Sequence, residues 1–176
     1  MRLMLQAALP ERAARSLELR AQIQALPQWR AARCVALFYP LAEEPDLLEL
    51  LGDKTKHFVF PCVHADGMEW RAAAEGSEFL ERTVEGRRAL FEPTAGRVVS
   101  LPDVDLLLVP GLAFTRGGQR LGRGGGYYDR ALAEIREDAL SIGVCFGFQL
   151  LETLPTEPHD QRVNRVLHAD PRDMAV

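Results

Sequence analysis

Apolar positions fall into two kinds of pattern along the chain. In RAARSLELRAQIQAL, Ala13, Leu17, Ile23 and Leu26 recur near a 3.6-residue period with arginines between them, which predicts a helix within residues 2–26. Pro10 stands just before that repeat and Pro27 just after it, each suited to a helix boundary. Elsewhere the apolar runs are short and unbroken. RCVALFYPL (33–41), HFVFPCV (57–63), DLLLVPG (105–111) and SIGVCFGF (141–148) have the look of strands buried on both faces. GMEWRAA (67–73) predicts an edge or hairpin strand, and NRVLHA (164–169) a last one. Helices are expected at EEPDLLELLG (43–52), where Gly52 supplies the stop, at YYDRALAEIRE (127–137) and, briefly, at QLLETL (149–154). Residues 74–100 are acidic and punctuated by Gly76, Gly86, Pro93 and Gly96, so turns and short segments capping one sheet edge are expected there. Strands alternating with helices predict an α/β fold with a central sheet covered on both faces.

Length and charge narrow the function. A chain of 176 residues, without repeats or a dividing linker, is expected to form a single domain over 1–176. With 21 Lys and Arg against 25 Asp and Glu, the formal charge is −4, which argues against a dedicated nucleic-acid binder. Cys34, Cys62 and Cys145 form no CxxC pair and sit in apolar runs, so buried free thiols are expected, not a zinc or redox motif. The start lacks the apolar region of a secretion signal, and no run approaches the ~20 apolar residues of a membrane span. A reduced, cytoplasmic protein is the expectation.

One segment concentrates chemistry. In VPGLAFTRGGQRLGRGGGYYDR (109–130), glycines 117, 118, 122, 124, 125 and 126 lie among Arg116, Arg120, Arg123 and Arg130, between a strand and a helix. Glycine lets backbone N–H groups close on an anion, a helix N-terminus adds a positive end, and arginine forks fit phosphate oxygens. The loop follows the carboxyl end of a strand, where open α/β sheets bind ligands. No Gly-Lys-Ser/Thr ends it, so it is not a Walker A loop. Phosphate binding is the favoured reading, against a solvated glycine-rich surface loop or an RNA-binding Arg-Gly tract. Asp129 either shares a cation with the phosphates or is a first-turn acid favoured by the helix dipole. Tyr127 and Tyr128 either stack on a planar ligand or pack in the core.

RLGRGGGYYDR (120–130), preceded by VPGLAF (109–114), resembles the signature of the 5-formyltetrahydrofolate cyclo-ligase family. LPQWRAARCVALFYPLAEEPDL (26–47), FPCV (60–63), GMEW (67–70), FEP (91–93) and IGVCFGFQLLETLPTEPHD (142–160) resemble further blocks of that family, so the likeness covers nearly the whole chain. It implies a three-layer α/β domain of the NagB/RpiA/CoA-transferase-like kind, with a central, mostly parallel sheet flanked by helices. It also implies conversion of 5-formyltetrahydrofolate to 5,10-methenyltetrahydrofolate using ATP and Mg²⁺, by phosphorylation of the formyl oxygen and displacement by N10, in a monomer without nucleic-acid or membrane partners. The matching positions imply ATP binding by Arg120, Leu121, Gly122, Arg123, Gly124, Gly125, Gly126, Tyr127 and Tyr128. Arg120, Arg123 and Tyr128 are implied in catalysis, and Asp129 and Asp160 at the metal. Folate is implied to meet Tyr39, Glu44, Met68, Trp70, Glu92 and the segment Arg123–Tyr127, with Glu44 taking the pterin N–H groups.

Three departures from the family pattern stand out. A basic KxxLR-like stretch is missing ahead of the first helix, Thr115 replaces an aspartate, and Leu47 replaces a threonine. They motivate an alternative: a folate- or nucleotide-binding relative with weakened or lost catalysis. An isomerase or acyl-CoA transferase on a similar scaffold would need a placed carboxylate base or nucleophile, and no motif supplies one.

Overall fold

The computed structural model describes residues 9–64, 67–83 and 90–170; residues 2–8 of the expected first helix lie outside this range. The helix runs Leu9–Ala25 (α1) and a second short one Pro27–Ala31 (α2), separated where Pro27 opens the new turn. Strands follow at Cys34–Ala36 (β1), His57–His64 (β2), Gly67–Ala73 (β3), Phe79–Arg82 (β4), Leu90–Pro93 (β5) and Val98–Val99 (β6). The remainder is Leu106–Val109 (β7), Ala113–Thr115 (β8), Arg120–Leu121 (β9), the helix Tyr127–Glu134 (α3), Leu140–Phe146 (β10), Leu150–Leu151 (β11) and Arg165–Ala169 (β12).

Seven strands form the central sheet in the order β12-β10-β7-β1-β2-β3-β6. The first five are mutually parallel, while β3 and β6 add an antiparallel edge, as the hairpin reading of 67–73 anticipates. Alternation along each strand sorts side chains to two faces. Val35, Phe58, Phe60, Leu106, Leu108, Ile142 and Val144 join Leu19 and Ile23 of α1 and Trp29 of α2. Ala36, Val59, Leu107, Val109 and Cys145 face Phe114 and Ala131 of α3 instead. Each fully buried Leu, Ile, Val or Phe contributes about 1.5–3 kcal/mol of burial free energy, which makes this three-layer sandwich the framework for everything else. Two glycines make room for one ring: a Cβ at Gly143 would meet Phe114 at 2.4 Å, and one at Gly111 would meet it at 2.8 Å. That slot docks the small β11-β8-β9 sheet onto the large one. All three cysteines are buried free thiols, and burial pushes the Cys145 thiol up to about 12.

Several elements are shorter than the pattern suggests. The run 33–41 is strand only to Ala36, and 43–52 is helical only as a 3-10 turn over Leu48–Gly52. In place of a helix at 149–154 there is a 3-10 turn at Gly147–Gln149 followed by β11. Gln149 causes this: its side chain accepts the Phe146 N–H at 2.9 Å and donates to Gly111 O at 3.1 Å, and Leu150 then pairs with Phe114. Among the described residues no helix is long and apolar enough to cross a membrane.

Candidate functional site

The strand order creates the site. From β1 the chain moves to β2 on one side, then returns to the other side for β7, β10 and β12. The loops leaving β1 and β7 therefore part at their carboxyl ends, the position at which open α/β sheets hold ligands. A cavity of about 740 Å³ lies there, lined by Phe38, Tyr39, Leu41 and Glu44 after β1 and by Pro110 and Gly111 after β7. Its remaining walls are Pro61, Val63, Met68, Leu90 and Phe91, the run Arg120–Asp129, and Pro155, Thr156, Glu157, His159 and Asp160. That volume is in the upper part of the roughly 300–1,000 Å³ range of small-molecule sites.

The glycine-rich segment closes one end. Gly126 caps α3 at φ 63, a left-handed conformation that favours glycine, and no side chain caps the helix there. The positive end of α3 thus lies beside the cavity without a side-chain cap. Arg120 is nearly fully buried, with Nη2 donating to Asp129 Oδ2 at 2.9 Å. Asp129 Oδ1 also accepts the Gln161 N–H at 3.3 Å, tying α3 to the segment that carries Asp160. Among the described residues, two buried polar atoms here have no hydrogen-bond partner: Arg120 Nε and the Tyr128 hydroxyl. Such orphans are costly unless a ligand meets them. Burial, and after it the Glu44 charge, push the Tyr128 hydroxyl far above its ordinary value, so it stays a proton donor at any working pH. Tyr128 packs edge-on against Trp70, with ring centroids 6.2 Å apart, and Tyr127 lies under the Arg130 guanidinium at 5.0 Å.

The opposite wall is acidic and aromatic. Glu44 is buried, and its Oε2 accepts the Leu41 N–H at 2.9 Å. Arg123 crosses the cavity to it, with Nη2 at 3.1 Å from Glu44 Oε1 and 2.7 Å from Glu43 Oε1. Burial pushes the Glu44 carboxyl above its usual range, although the Leu41 N–H and Arg123 pull the other way. Tyr39 stacks on Phe91 at 4.6 Å and tilts against Phe79 at 5.0 Å, so β5 lends a side wall to the cavity with β4 paired behind it, in a sheet separate from the central one.

Of the residues expected at the site, Tyr39, Glu44, Met68, the whole run Arg120–Asp129 and Asp160 meet at this cavity. Trp70 and Glu92 do not line it. Trp70 is buried behind Tyr128, and Glu92 turns inward to accept the Val63 N–H at 2.6 Å, so both support the wall from behind. Glu43 joins the site beyond the residues that the sequence singles out, through its pair with Arg123, and the Glu-Glu pair in AEEPD is its signal. His159 stands at the rim. Thr115 is buried and its hydroxyl accepts the Gln119 N–H at 3.2 Å, closing the β8–β9 hairpin, while Leu47 is fully buried in the core.

Among the described residues no cluster of three or more His, Cys, Asp or Glu could hold a metal alone. Magnesium does not require one, since it commonly takes one or two carboxylates beside substrate phosphates. Asp129 and Asp160 fit that pattern. Each carboxylate offers about four lone-pair sites. Hydrogen bonds from Arg120 and Gln161 occupy two at Asp129, and one from the Glu157 N–H occupies one at Asp160.

A sequence model of the 5-formyltetrahydrofolate cyclo-ligase family matches residues 2–169. The 5-formyltetrahydrofolate cyclo-ligase of Mycolicibacterium smegmatis is 32% identical over 143 residues, covering 78% of this chain and 74% of that protein. The Escherichia coli K12 enzyme of the same name is 33% identical over 138 residues, covering 73% and 74%. The NMR structure of Aquifex aeolicus 5,10-methenyltetrahydrofolate synthetase matches with a TM-score of 0.77 at 30% identity, covering 95% of this chain and 86% of that one. A Mycoplasma pneumoniae structure of that name, 21% identical with a TM-score of 0.69 and covering 93% of each chain, shares the fold.

Proposed function

The chain belongs to the 5-formyltetrahydrofolate cyclo-ligase family, and on that premise we propose that its cavity brings 5-formyltetrahydrofolate and Mg-ATP together for phosphoryl transfer. The formyl oxygen attacks the γ-phosphate, ADP leaves, and the phosphorylated formyl carbon is attacked by folate N10. Inorganic phosphate departs and the 5,10-methenyl ring closes. An amide-like oxygen is a poor leaving group and a phosphate is a good one, so the first step makes the second feasible. Such chemistry needs positioning and charge neutralisation more than a protein nucleophile.

The observation that carries this reading is the pairing of a cationic, glycine-rich wall with an acidic, aromatic one across a single cavity. Glu44 receives the N–H groups of the aminopyrimidine, and Tyr39 and Met68 flank the pterin. Arg120, with the uncapped N–H groups of α3, receives the nucleotide phosphates. Arg123 stands between the walls and supplies a second guanidinium at the transferring phosphoryl group. The Tyr128 hydroxyl, held protonated, donates a hydrogen bond to oxygen that gains charge there. Asp129 and Asp160 would hold the magnesium ion, which supplies charge neutralisation at the phosphates.

The test is direct. Protein mixed with 5-formyltetrahydrofolate, ATP and magnesium should develop methenyltetrahydrofolate absorbance with one phosphate released per ring closed. Folate binding without turnover would instead select the catalytically silent alternative.

A further inference from the structure

The β1 loop that delivers Glu44 to the cavity has almost no regular structure of its own. Between Ala36 and the 3-10 turn at Leu48 no residue is helical or extended in a sheet. Its position comes from a stripe on α1, outside the cavity. Arg12, Ser16 and Arg20 are spaced by four residues and so share one helix face. Arg20 Nη1 donates to Asp46 O at 2.9 Å, and the Asp46 N–H donates to Ser16 Oγ at 3.0 Å. Arg12 reaches further in, with Nε donating to Glu44 O at 3.0 Å and Nη2 to Leu41 O at 3.1 Å.

Those two carbonyls bracket the turn that aims the Glu44 side chain. Within it, the Glu44 N–H donates to Leu41 O at 2.9 Å and the Leu41 N–H to Glu44 Oε2 at 2.9 Å. One planar fork thus grips both ends of a four-residue turn, a geometry that a lysine ammonium cannot reproduce. We propose that Arg12 is a positioning residue for folate recognition, holding the Leu41–Glu44 turn so that the Glu44 carboxylate meets the pterin. The proposal rests on the assignment of Glu44 to the folate.

The experiment measures 5-formyltetrahydrofolate Kd and KM, ATP KM and thermal midpoint for the full chain, Arg12→Ala, Arg12→Lys, Glu44→Gln and the Arg12→Ala/Glu44→Gln double variant. Arg12→Ala leaves the Ser16 and Arg20 bonds in place, so the loop stays attached. Folate Kd and KM should rise about tenfold, ATP KM should stay within about twofold, and Arg12→Lys should recover part of the loss. In the Glu44→Gln background, Arg12→Ala should add nothing further to folate Kd, because the two act in series. An unchanged folate Kd in Arg12→Ala, a full additive loss in the double variant, or a parallel rise in ATP KM overturns the proposal. If Glu44→Gln itself leaves folate affinity intact, the reading of the cavity fails and the proposal with it.

Discussion

Two carboxylates at opposite ends of the sheet have similar partners and opposite fates. Glu44, at the carboxyl end, accepts one backbone N–H and an arginine, and its carboxyl is pushed above the usual range. Asp105, at the amino end of β7, accepts two backbone N–H groups on one oxygen, from Arg33 at 2.7 Å and Cys34 at 2.8 Å, and pairs with Arg136 on the other. Burial pushes Asp105 upward too, but those hydrogen bonds outweigh it and its carboxyl sits below the usual range. Solvent decides between them: the Glu44 side chain is 5% exposed and the Asp105 side chain 26%. A partly wet carboxylate with three donors holds its charge and ties β1 to β7. A dry one with fewer donors is left under-satisfied and suited to a ligand's N–H groups.

The sharpest way to break this contrast is Glu44→Gln, which should lower kcat/KM for 5-formyltetrahydrofolate about a hundredfold, as expected for charge-assisted hydrogen bonds of roughly 1.5–3 kcal/mol. Steady-state kinetics would measure this, and a melt would show little change in stability. An unaffected kcat/KM would end the distinction. Tyr128→Phe comes next. Its hydroxyl has no protein partner among the described residues, so removing it should hold or raise the stability of the ligand-free protein while kcat falls about tenfold. A loss of stability with normal kcat would make the hydroxyl structural. Asp105→Ala should do the reverse, leaving specific activity intact and lowering urea-unfolding stability by about 1–2 kcal/mol as two backbone donors lose their acceptor.

The smallest effect is in pH. Asp105 has a depressed folded value, so its contribution to stability is present above about pH 3.9, the unfolded value, and is lost as pH falls through the folded one. Glu44 has a raised folded value. Acidification protonates it first in the folded chain, which relieves a cost to folding and at the same time removes the acceptor proposed for folate. The acid limb of kcat/KM for folate should therefore lie above about pH 4.3, the ordinary glutamate value, and Arg123→Ala should move it higher still. A limb below that value, or one indifferent to Arg123, would contradict the assignment.

The legible parts of the chain were those where burial or anion chemistry acts locally. The runs at 57–63, 105–111 and 141–148 announce β2, β7 and β10 because strands covered on both faces have no polar position to interrupt them. The arginine-glycine run at 116–130 reads as an anion site from its composition between a strand and a helix, and the structure brings Arg120–Asp129 of that run to the cavity. Illegible were the features set by distant partners. LLELL reads as helix, yet the preceding loop is bound to Arg12, Ser16 and Arg20 and leaves room only for a 3-10 turn. Arg123 is read as a free phosphate ligand, and nothing local reveals its pairing with Glu43 and Glu44, about eighty positions earlier. The stripe on α1 hides beside Arg15 on the same helix, a buried arginine that pairs with Glu11, since only the fold separates the arginines that reach the loop from the one that does not.

The slot formed by Gly111 and Gly143 carries a consequence for how this sequence can drift. Any methyl group added at 143 requires a smaller side chain at 114, and a smaller ring partner would loosen the hairpin from which the cavity-lining Arg120 and Arg123 hang. Residues 111, 114 and 143 are therefore bound to change together or not at all, a three-way linkage that pairwise mutagenesis would register as strong epistasis although none of the three performs a chemical step.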